Sequence, residues 1–307
     1  MSLDKIKNQI FRIKMKRAIT IVLLFLFLLS PNFTQNTPKN RELVDLMAKY
    51  RDQFKTMIEK FHNEGIDTLP IGERVLRVAR SFEGTPYKPK TLEGMGDEFC
   101  RFNLDGLDCF TLVENSLCIA RVLKNNIQEI EDFVDCLRAT RYRDGIIKQY
   151  PSRLHYTADW IYQNSNERVF ADITKDLGGK VIRFNVGFMT DPQNIKYYPE
   201  LSVNDGFLDR MKQCEKNINQ RTYYYIPKEN VAKIESKLRN GDIIAITSTV
   251  KGLDYAHIGI AFRDNFGKLH LFHASSVYKK VVIDKQLSEY LEGSSTQTGI
   301  TVLRPVE

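Results

Sequence analysis

The sequence lacks several features by which common classes of protein are recognised. None of its five cysteines stands in a pair with zinc-ligand spacing, so a structural zinc site is not expected. It has no stripe of basic residues interleaved with aromatics, which argues against a nucleic-acid partner. It also has no internal repeat and no low-complexity tract. Its 307 residues are therefore enough for one large globular domain or two small ones.

The positive charge is concentrated at the N-terminus. The net charge is +7, but residues 1–30 hold six basic residues against the single acidic Asp4. Lys16 and Arg17 precede an apolar run from Ala18 to Leu29, which is short for a membrane span and has the length of a signal-peptide core. We expect residues 1–35 to be a signal peptide. The protein is then exported to the periplasm or cell envelope, and it contacts the membrane only if this segment stays uncleaved.

Hydrophobic periodicity predicts helices first and strands afterwards. Apolar residues recur at three- and four-residue steps from Arg41 to His62, so we expect an accessory N-terminal helix within residues 36–66. Short strands are predicted at 142–147 and 181–189, and five more at 243–247, 257–262, 269–274, 281–283 and 300–303. Helices followed by strands joined through short turns indicate an α+β fold.

An apolar segment that begins at Cys109 is predicted to be a buried helix, because its residues are apolar on nearly every side. Asp108 is placed to cap this helix, and Cys109 then falls in the first turn. There the helix dipole favours the reactive thiolate, and backbone N–H groups are available to an oxyanion. Most cysteines are nevertheless small buried hydrophobes, so Cys109 alone does not identify a nucleophile.

Two histidines near the C-terminus complete this arrangement. If Gly267 is the left-handed residue of a hairpin turn and Phe262 pairs with Lys268, His257 lies directly opposite His273, roughly 5 Å away. One imidazole can then hold a thiolate–imidazolium pair and later protonate a leaving amine, while the second orients the first by hydrogen bonding. A slip of one residue would place the two rings on opposite faces, so the prediction depends on the register.

A second polar cluster lies at residues 150–164. It contains Arg153, His155, Asp159 and the only tryptophan, Trp160. Such a mixture beside a turn suits the wall of a ligand site. The start of a helix with a packed tryptophan explains the same residues equally well, and both interpretations stay open here.

These motifs resemble the NlpC-type papain-like cysteine hydrolases of bacterial cell walls. The three catalytic blocks are matched by Asp108-Cys109, His257-Ile258-Gly259-Ile260 and His273-Ala274, and the block before the nucleophile by Gly84-Thr85-Pro86-Tyr87. A closer resemblance is to the N-acetylmuramoyl-L-alanine amidase-like subfamily. Its pattern Asp-Cys-x-Thr-x-x-Glu is matched by Asp108, Cys109, Thr111 and Glu114. Its pattern Arg-x-His-Tyr-x-x-Asp-Trp is matched by Arg153, His155, Tyr156, Asp159 and Trp160.

The resemblance implies a papain-like (NlpC-type) core, in which a helix that carries the nucleophile packs on an antiparallel sheet. A papain-like cysteine amidase domain would occupy residues 67–307. Cys109 would be the nucleophile, His257 the base and His273 the orienting residue, with no metal and no cofactor. The residues expected to bind substrate are Tyr87, Asp108, Thr111, Arg153, His155, Tyr156 and Trp160.

The implied function is a cysteine amidase that acts on peptidoglycan fragments at the N-acetylmuramoyl–L-alanine bond, with anhydro-muropeptides among the candidate substrates. Phe110-Thr111 replaces the Ser-Gly that commonly follows the nucleophile, so the specificity of the better-known endopeptidases does not transfer. Two alternatives stay open. One is an endopeptidase that cuts between γ-D-glutamate and the diamino acid, and the other is a catalytically inactive cell-wall binding module.

Overall fold

The computed structural model describes residues 38–94, 96–124 and 129–307. The predicted signal peptide at 1–35 lies outside these residues. The chain divides into two compact units, residues 1–41 and 42–307, and the packing described below belongs to the second. No helix within the described ranges is both long and apolar enough to cross a membrane. The predicted boundary between the accessory helix and the amidase domain, at residues 66 and 67, stays a prediction.

Among the described residues, five α-helices precede the first strand of the sheet, as the periodicity predicted. They are α1 (Pro38–Asn63), α2 (Ile71–Ser81), α3 (Cys109–Lys124), α4 (Ile130–Arg141) and α5 (Thr157–Asn166). Four more lie between or after strands: α6 (Pro199–Ser202), α7 (Asp205–Asn219), α8 (Lys228–Ile234) and α9 (Leu287–Glu292). Helix α1 buries one stripe at helical spacing, formed by Tyr50, Phe54, Ile58 and Phe61.

The strands form one antiparallel sheet. They are β1 (Phe170–Asp172), β2 (Lys180–Ile182), β3 (Tyr223–Pro227), β4 (Ile243–Ser248), β5 (Tyr255–Arg263), β6 (Leu269–Ser275), β7 (Lys280–Gln286) and β8 (Gln297–Pro305). Their order is β2-β3-β8-β4-β5-β6-β7, and β1 pairs with β8. Every pairing is antiparallel. The α+β class and the five predicted C-terminal strands are therefore confirmed.

Helices cover both faces of this sheet. Helix α3 lies in the larger hydrophobic core with Ile258, Ile260 and Phe272 of β5 and β6. Helices α8 and α9 lie in a second core, on the face that carries Ala261 and Leu271. From Thr111 to Ala120 every residue of α3 is buried, which explains why its sequence is apolar on nearly every side. A helix fixed so completely holds its first residue, Cys109, in place.

Two of the predicted strands are wrong. Residues 142–147 contain a short helical turn, Arg143–Gly145, in which Asp144 takes a left-handed conformation with φ of 55°. In the 181–189 segment only the first residues pair, because the N–H groups of Gly187 and Phe188 donate to the Gly252 carbonyl instead of a neighbouring strand. In both places local turn contacts override a weak apolar pattern.

The hairpin between β5 and β6 differs from the predicted register by two residues. Phe262 pairs with His270 rather than Lys268, and Gly267 has a φ of 82° in the turn, as predicted. A shift of two residues preserves which face each side chain occupies. His257 and His273 therefore share a face, but they are diagonal neighbours and do not lie directly opposite each other.

Candidate active site

The N-terminus of α3 is capped by a reciprocal pair of side chains. The Asp108 carboxylate accepts from the backbone N–H groups of Phe110 (3.1 Å) and Thr111 (2.8 Å), and the Thr111 hydroxyl accepts from the Asp108 N–H (2.9 Å). This arrangement satisfies N–H groups that the helix leaves free, and it fixes the direction in which the chain enters. The predicted cap is present, and Cys109 is the first residue of the helix.

The thiol of Cys109 lies between the start of α3 and strand β5. Backbone N–H groups of Phe110, Cys109 and Ile258 stabilise its charged form, and Ile258 follows His257 on β5. Burial outweighs them and, together with the negative charge of Asp108, raises the pKa of Cys109 to about 12. Burial and the capping carboxylate therefore oppose the helix dipole and favour the neutral thiol, against the expectation of a preformed thiolate.

The two histidines are in direct contact. Nε2 of His257 lies 2.5 Å from Nδ1 of His273, and the ring planes are nearly perpendicular. Burial, followed by the charge of His273, lowers the pKa of His257 to about 3, so both rings are neutral near pH 7. Gly259 allows this proximity, because a Cβ there would lie 2.8 Å from a Leu271 methyl and 3.2 Å from Cβ of His273.

A carboxylate that the sequence did not predict completes the group. Oδ2 of Asp284, on β7, lies 3.0 Å from Nε2 of His273, and both side chains are less than a tenth exposed. The ring of Tyr290 packs against both imidazoles, at 5.4 Å from His273 and 6.3 Å from His257. The register offered a signal for Asp284: Val282 pairs with His273, so the residue two positions on shares its face.

Tyr87 lies near Cys109. The segment that carries it is held on one side by Leu107, whose N–H donates to the Pro86 carbonyl, and on the other by the Lys279 carbonyl, which accepts from the Tyr87 N–H. Burial raises the pKa of Tyr87, and the charges of Cys109 and Asp108 contribute, which places the phenol near the thiol. Its contact with substrate stays a prediction.

Arg153 and His155 line a cavity of about 350 Å³ next to the nucleophile, together with Asp108 and Phe110. The Arg153 guanidinium is already engaged, because it donates to the Leu92 carbonyl and to the Glu93 carboxylate. His155 donates through Nε2 to the Tyr150 carbonyl, and burial keeps its pKa well below the usual value. Arg153 therefore shapes this wall, and a substrate carboxylate would have to compete with its protein partners.

Three other residues predicted to bind substrate have different roles in this structure. Thr111 belongs to the helix cap, and the hydroxyl of Tyr156 donates to Glu215 (2.7 Å). Trp160 is fully buried between Phe110 and Phe170, with ring centroids 5.2 and 4.8 Å away. A sugar has no exposed face of Trp160 on which to stack, so the interpretation of Trp160 as packing is the one that the fold favours.

Two further cavities lie outside this wall. One of about 480 Å³ opens beside His257 and His273, between the β6–β7 hairpin and α9. Another of about 600 Å³ lies between α1 and the loop at 88–103, and none of the predicted catalytic residues lines it. The nucleophile and the histidine pair are thus flanked by one cavity on the Phe110 side and one on the imidazole side. A substrate with two bulky halves fits such an arrangement.

Comparisons with known proteins show which family the chain resembles. The profile of the AmiA-like family, described as N-acetylmuramoyl-L-alanine amidase-like, matches residues 77–300. An N-acetylmuramoyl-L-alanine amidase from Bacteroides uniformis is similar in structure, with a TM-score of 0.71 and 37% identity over 77% of this chain and 99% of its own. A putative xylanase from Bacteroides fragilis gives a TM-score of 0.69 and 37% identity over 75% and 99% of the two chains.

A more distant structure, from Legionella pneumophila, gives a TM-score of 0.62 and 25% identity over 85% of this chain and 97% of its own. No curated protein matches the chain significantly. The family profile spans well over half of the sequence and includes Cys109, His257, His273 and Asp284. The chain therefore belongs to the AmiA-like, N-acetylmuramoyl-L-alanine amidase-like family.

Proposed function

We propose that this protein is an exported cysteine amidase with a papain-like, NlpC-type catalytic arrangement. Its substrate is a peptidoglycan fragment, and it cuts the amide bond between the lactyl group of N-acetylmuramic acid and L-alanine. The observations that carry the proposal are Cys109 at the start of the buried helix α3, the contact of its thiol with the backbone N–H of Ile258, and the contact between His257, the residue before it, and His273. A binding module would have no use for a nucleophile and a paired base.

The reaction follows from the positions of these groups. Nε2 of His257 is occupied by His273, so Nδ1 is the nitrogen that remains to take the proton of Cys109. The sulfur attacks the lactyl carbonyl, and the N-terminal amides of α3 stabilise the oxyanion. The C–N bond then breaks, and His257 returns its proton to the amine of L-alanine. Water attacks the thioester, His257 accepts a proton from that water, and the acid and the free thiol are released.

Because Cys109 and His257 are both uncharged before attack, His257 acts as a general base and not as the imidazolium of a thiolate–imidazolium pair. Burial keeps Cys109 protonated and His257 unprotonated until a substrate is in place.

Export is proposed from the sequence alone. Lys16, Arg17 and the apolar run up to Leu29 have the order of a signal peptide. Peptidoglycan lies outside the cytoplasmic membrane, so a secreted or periplasmic enzyme would meet its substrate there. Fractionation of cells that produce the full chain tests this point, because retention of the protein in the cytoplasm would contradict it.

The test is mass spectrometry of a defined muropeptide after incubation with the purified protein. We expect an intact stem peptide that begins with L-alanine, plus the free N-acetylmuramic or anhydro-N-acetylmuramic acid product. Cys109→Ala should fold normally and release neither product, since it lacks the sulfur that forms the thioester. Cys136→Ala, which removes another half-buried thiol, is the matched control and should keep full activity.

Other products would separate the remaining alternatives. Release of a shortened peptide, with L-alanine and D-glutamate left on the sugar, would establish the γ-D-glutamyl endopeptidase instead. Binding of muropeptide without turnover would favour the inactive module. Hydrolysis by Cys109→Ala at the wild-type rate would refute the cysteine mechanism whichever bond is cut.

A further inference from the structure

Three side chains form one continuous row of contacts, which runs from His257 through His273 to Asp284, and the backbone N–H of the next residue, Ile258, reaches Cys109. The distances are 2.5 Å between the two imidazoles and 3.0 Å between His273 and the carboxylate. The hydrogen bonds in such a row all point the same way, because a neutral imidazole donates through one nitrogen and accepts through the other. The group at its far end therefore determines the state of every ring in it.

An ionised carboxylate can only accept hydrogen bonds. Nε2 of His273 must therefore carry the proton, which leaves Nδ1 of the same neutral ring as an acceptor. That acceptor can be satisfied only by a proton on Nε2 of His257, because the two nitrogens are in contact. Nδ1 of His257 is then unprotonated, and this is the nitrogen that the reaction needs as a base.

We propose that Asp284 is a positioning residue that, through His273, fixes His257 in the one tautomer able to accept the proton of Cys109. This inference rests on the proposed cysteine mechanism. Asp284 touches neither the nucleophile nor the substrate bond, so its contribution is the orientation and protonation of the two rings. It would make the site a group of four residues, one more than the sequence suggested.

The orientation of the carboxylate is itself fixed. Oδ1 of Asp284 accepts from the backbone N–H of Lys285 at 2.7 Å, which leaves Oδ2 for His273. In an Asp284→Asn variant the amide oxygen would keep the bond to Lys285, and the NH₂ group would point at His273. Nε2 of His273 would then have to accept, and both rings would change to the other tautomer. His257 would carry a proton on Nδ1 and could no longer act as a base.

The experiment compares Asp284→Asn with Asp264→Asn. Asp264 makes the same kind of contact, 3.1 Å from Nε2 of His270, but outside the catalytic row. In a serine-protease triad the equivalent carboxylate-to-amide change lowers kcat by about 10⁴. We expect a loss of about 10³–10⁴ in kcat for Asp284→Asn with little change in KM, and no change for Asp264→Asn. Asp284→Glu keeps an acceptor and should recover part of the activity.

Two readouts distinguish this role from a structural one. Nitrogen-15 NMR of the imidazoles should show the proton of His257 on Nε2 in the wild type and on Nδ1 in Asp284→Asn. Alkylation of Cys109 by iodoacetamide at pH 7 should also slow in that variant, and this needs no substrate. An unchanged tautomer, or a kcat within threefold of wild type, would overturn the inference. If the wild type cleaves no muropeptide, the function fails, but NMR and alkylation still decide the role of Asp284.

A different observation, the cavity of about 480 Å³ beside the imidazoles, carries a second inference. His257 and His273 form its inner end, and hydroxyl, phenol and amide groups line much of the rest: Ser275, Ser276, Tyr278, Ser294 and Gln297. The imidazole that protonates the departing amine has to be within hydrogen-bond reach of it. The leaving half of the substrate therefore occupies this side, and the acyl half the side of Phe110.

The rim of this cavity carries two exposed charges of opposite sign, Lys285 on β7 and Glu289 on α9. Among the described residues no carboxylate lies within 4 Å of the Lys285 amine, and no cation within 4 Å of Glu289. Val277, on the hairpin beside them, is 81% exposed. An apolar surface next to one cation and one anion matches a short peptide that contains both a carboxylate and an amine.

We infer that this cavity binds the stem peptide, with Lys285 at a carboxylate and Glu289 at the ammonium group of a diamino acid. The inference rests on the proposed function, in which L-alanine and the residues after it form the leaving group. The sugar would then bind on the other side of Cys109. The opposite orientation, with the sugar in this cavity, is an outcome that the experiment can detect.

The test compares a substrate that carries L-alanine, D-glutamate and a diamino acid with one that carries L-alanine alone. Lys285→Gln should raise KM about fivefold for the long substrate, the size expected for a partly exposed ion pair, and leave the short one unchanged. Lys268→Gln, which changes an exposed lysine in the turn between β5 and β6 that does not line this cavity, is the matched control. An equal effect on both substrates would assign the cavity to the sugar and overturn the inference, and so would no effect on either. No cleavage of either by the wild type would refute the proposed function instead.

Discussion

A buried ion pair between Glu114 and Arg141 joins α3, the helix that begins at Cys109, to α4. Oε2 of Glu114 accepts from Nε of Arg141 at 2.7 Å, and both side chains are at most 1% exposed. The same guanidinium donates to the carbonyl of Arg101, in the loop that leads to Cys109. We consider the substitution Glu114→Leu, which removes the carboxylate, leaves Arg141 charged and changes the side-chain volume little.

The expected cost follows from the burial of both charges. Removal of one partner leaves a charge without water and without a counter-ion, which costs about 3–5 kcal/mol in buried pairs. Replacement of both partners by apolar side chains removes that charge, so Glu114→Leu combined with Arg141→Met should lose clearly less than the first change alone. The double variant still loses the bond to Arg101, so we do not expect full recovery.

Urea unfolding at pH 7, followed by tryptophan fluorescence, measures both quantities, because Trp160 is buried in the same core. Glu131→Leu is the matched control. Glu131 pairs with Arg51 on the surface, where both side chains are more than two-fifths exposed. Its loss should cost no more than about 1 kcal/mol. The reasoning is refuted if Glu114→Leu costs as little as this control, or if the two buried substitutions are simply additive.

Three further predictions concern the site and its wall. Because burial raises the pKa of Cys109 to about 12, its alkylation by iodoacetamide should accelerate steadily as the pH rises above 7. A rate that does not change down to pH 5 would instead indicate a thiolate–imidazolium pair in the resting enzyme. The folded pKa of His257, about 3, lies below its unfolded value of 6.5, so the unfolded chain binds the extra proton between these values. The free energy of unfolding should therefore fall as pH drops through this window, and this group contributes up to about 1.4 kcal/mol per pH unit. In His257→Gln the free energy of unfolding should depend less on pH, and parallel pH dependences for the two proteins would contradict this. Arg153→Met should lower the free energy of unfolding by about 3–5 kcal/mol, since it leaves the carboxylates of Glu93 and the buried Glu98 without their counter-ion. A variant of unchanged stability with a raised KM would instead indicate that Arg153 binds substrate directly.

Much of the framework could be read from the sequence because it depends on local chemistry. The apolar residues after Cys109 required a buried helix, and Asp108 is its cap. The alternation in β5 and β6 placed His257 and His273 on one face, and their contact survived a register that was predicted two residues away from the true one. A period of two explains this tolerance, because an even shift changes the partner but not the face.

Other predictions depended on neighbours that the sequence does not reveal. A charged, aromatic cluster at 150–164 suited a ligand wall, but Trp160 is enclosed by Phe110 and Phe170, and Arg153 is engaged by acidic residues of a loop some sixty positions earlier. The helix dipole argued for a thiolate at Cys109, whereas burial and the adjacent Asp108 make the thiol neutral. Position in a motif indicates the type of residue, but solvent exposure determines its charge state.

The sequence by itself determined the α+β class, the helix that presents Cys109 and the shared face of the two histidines, since each follows from spacing within one segment. Only the tertiary structure decided that Asp284 contacts His273, that burial disfavours the charged forms of Cys109 and His257, and that one cavity lies on the Phe110 side of Cys109 and another beside the two histidines. These properties arise between segments far apart in the chain. Their distances and desolvation are set by the packed core, and no local pattern of residues records them.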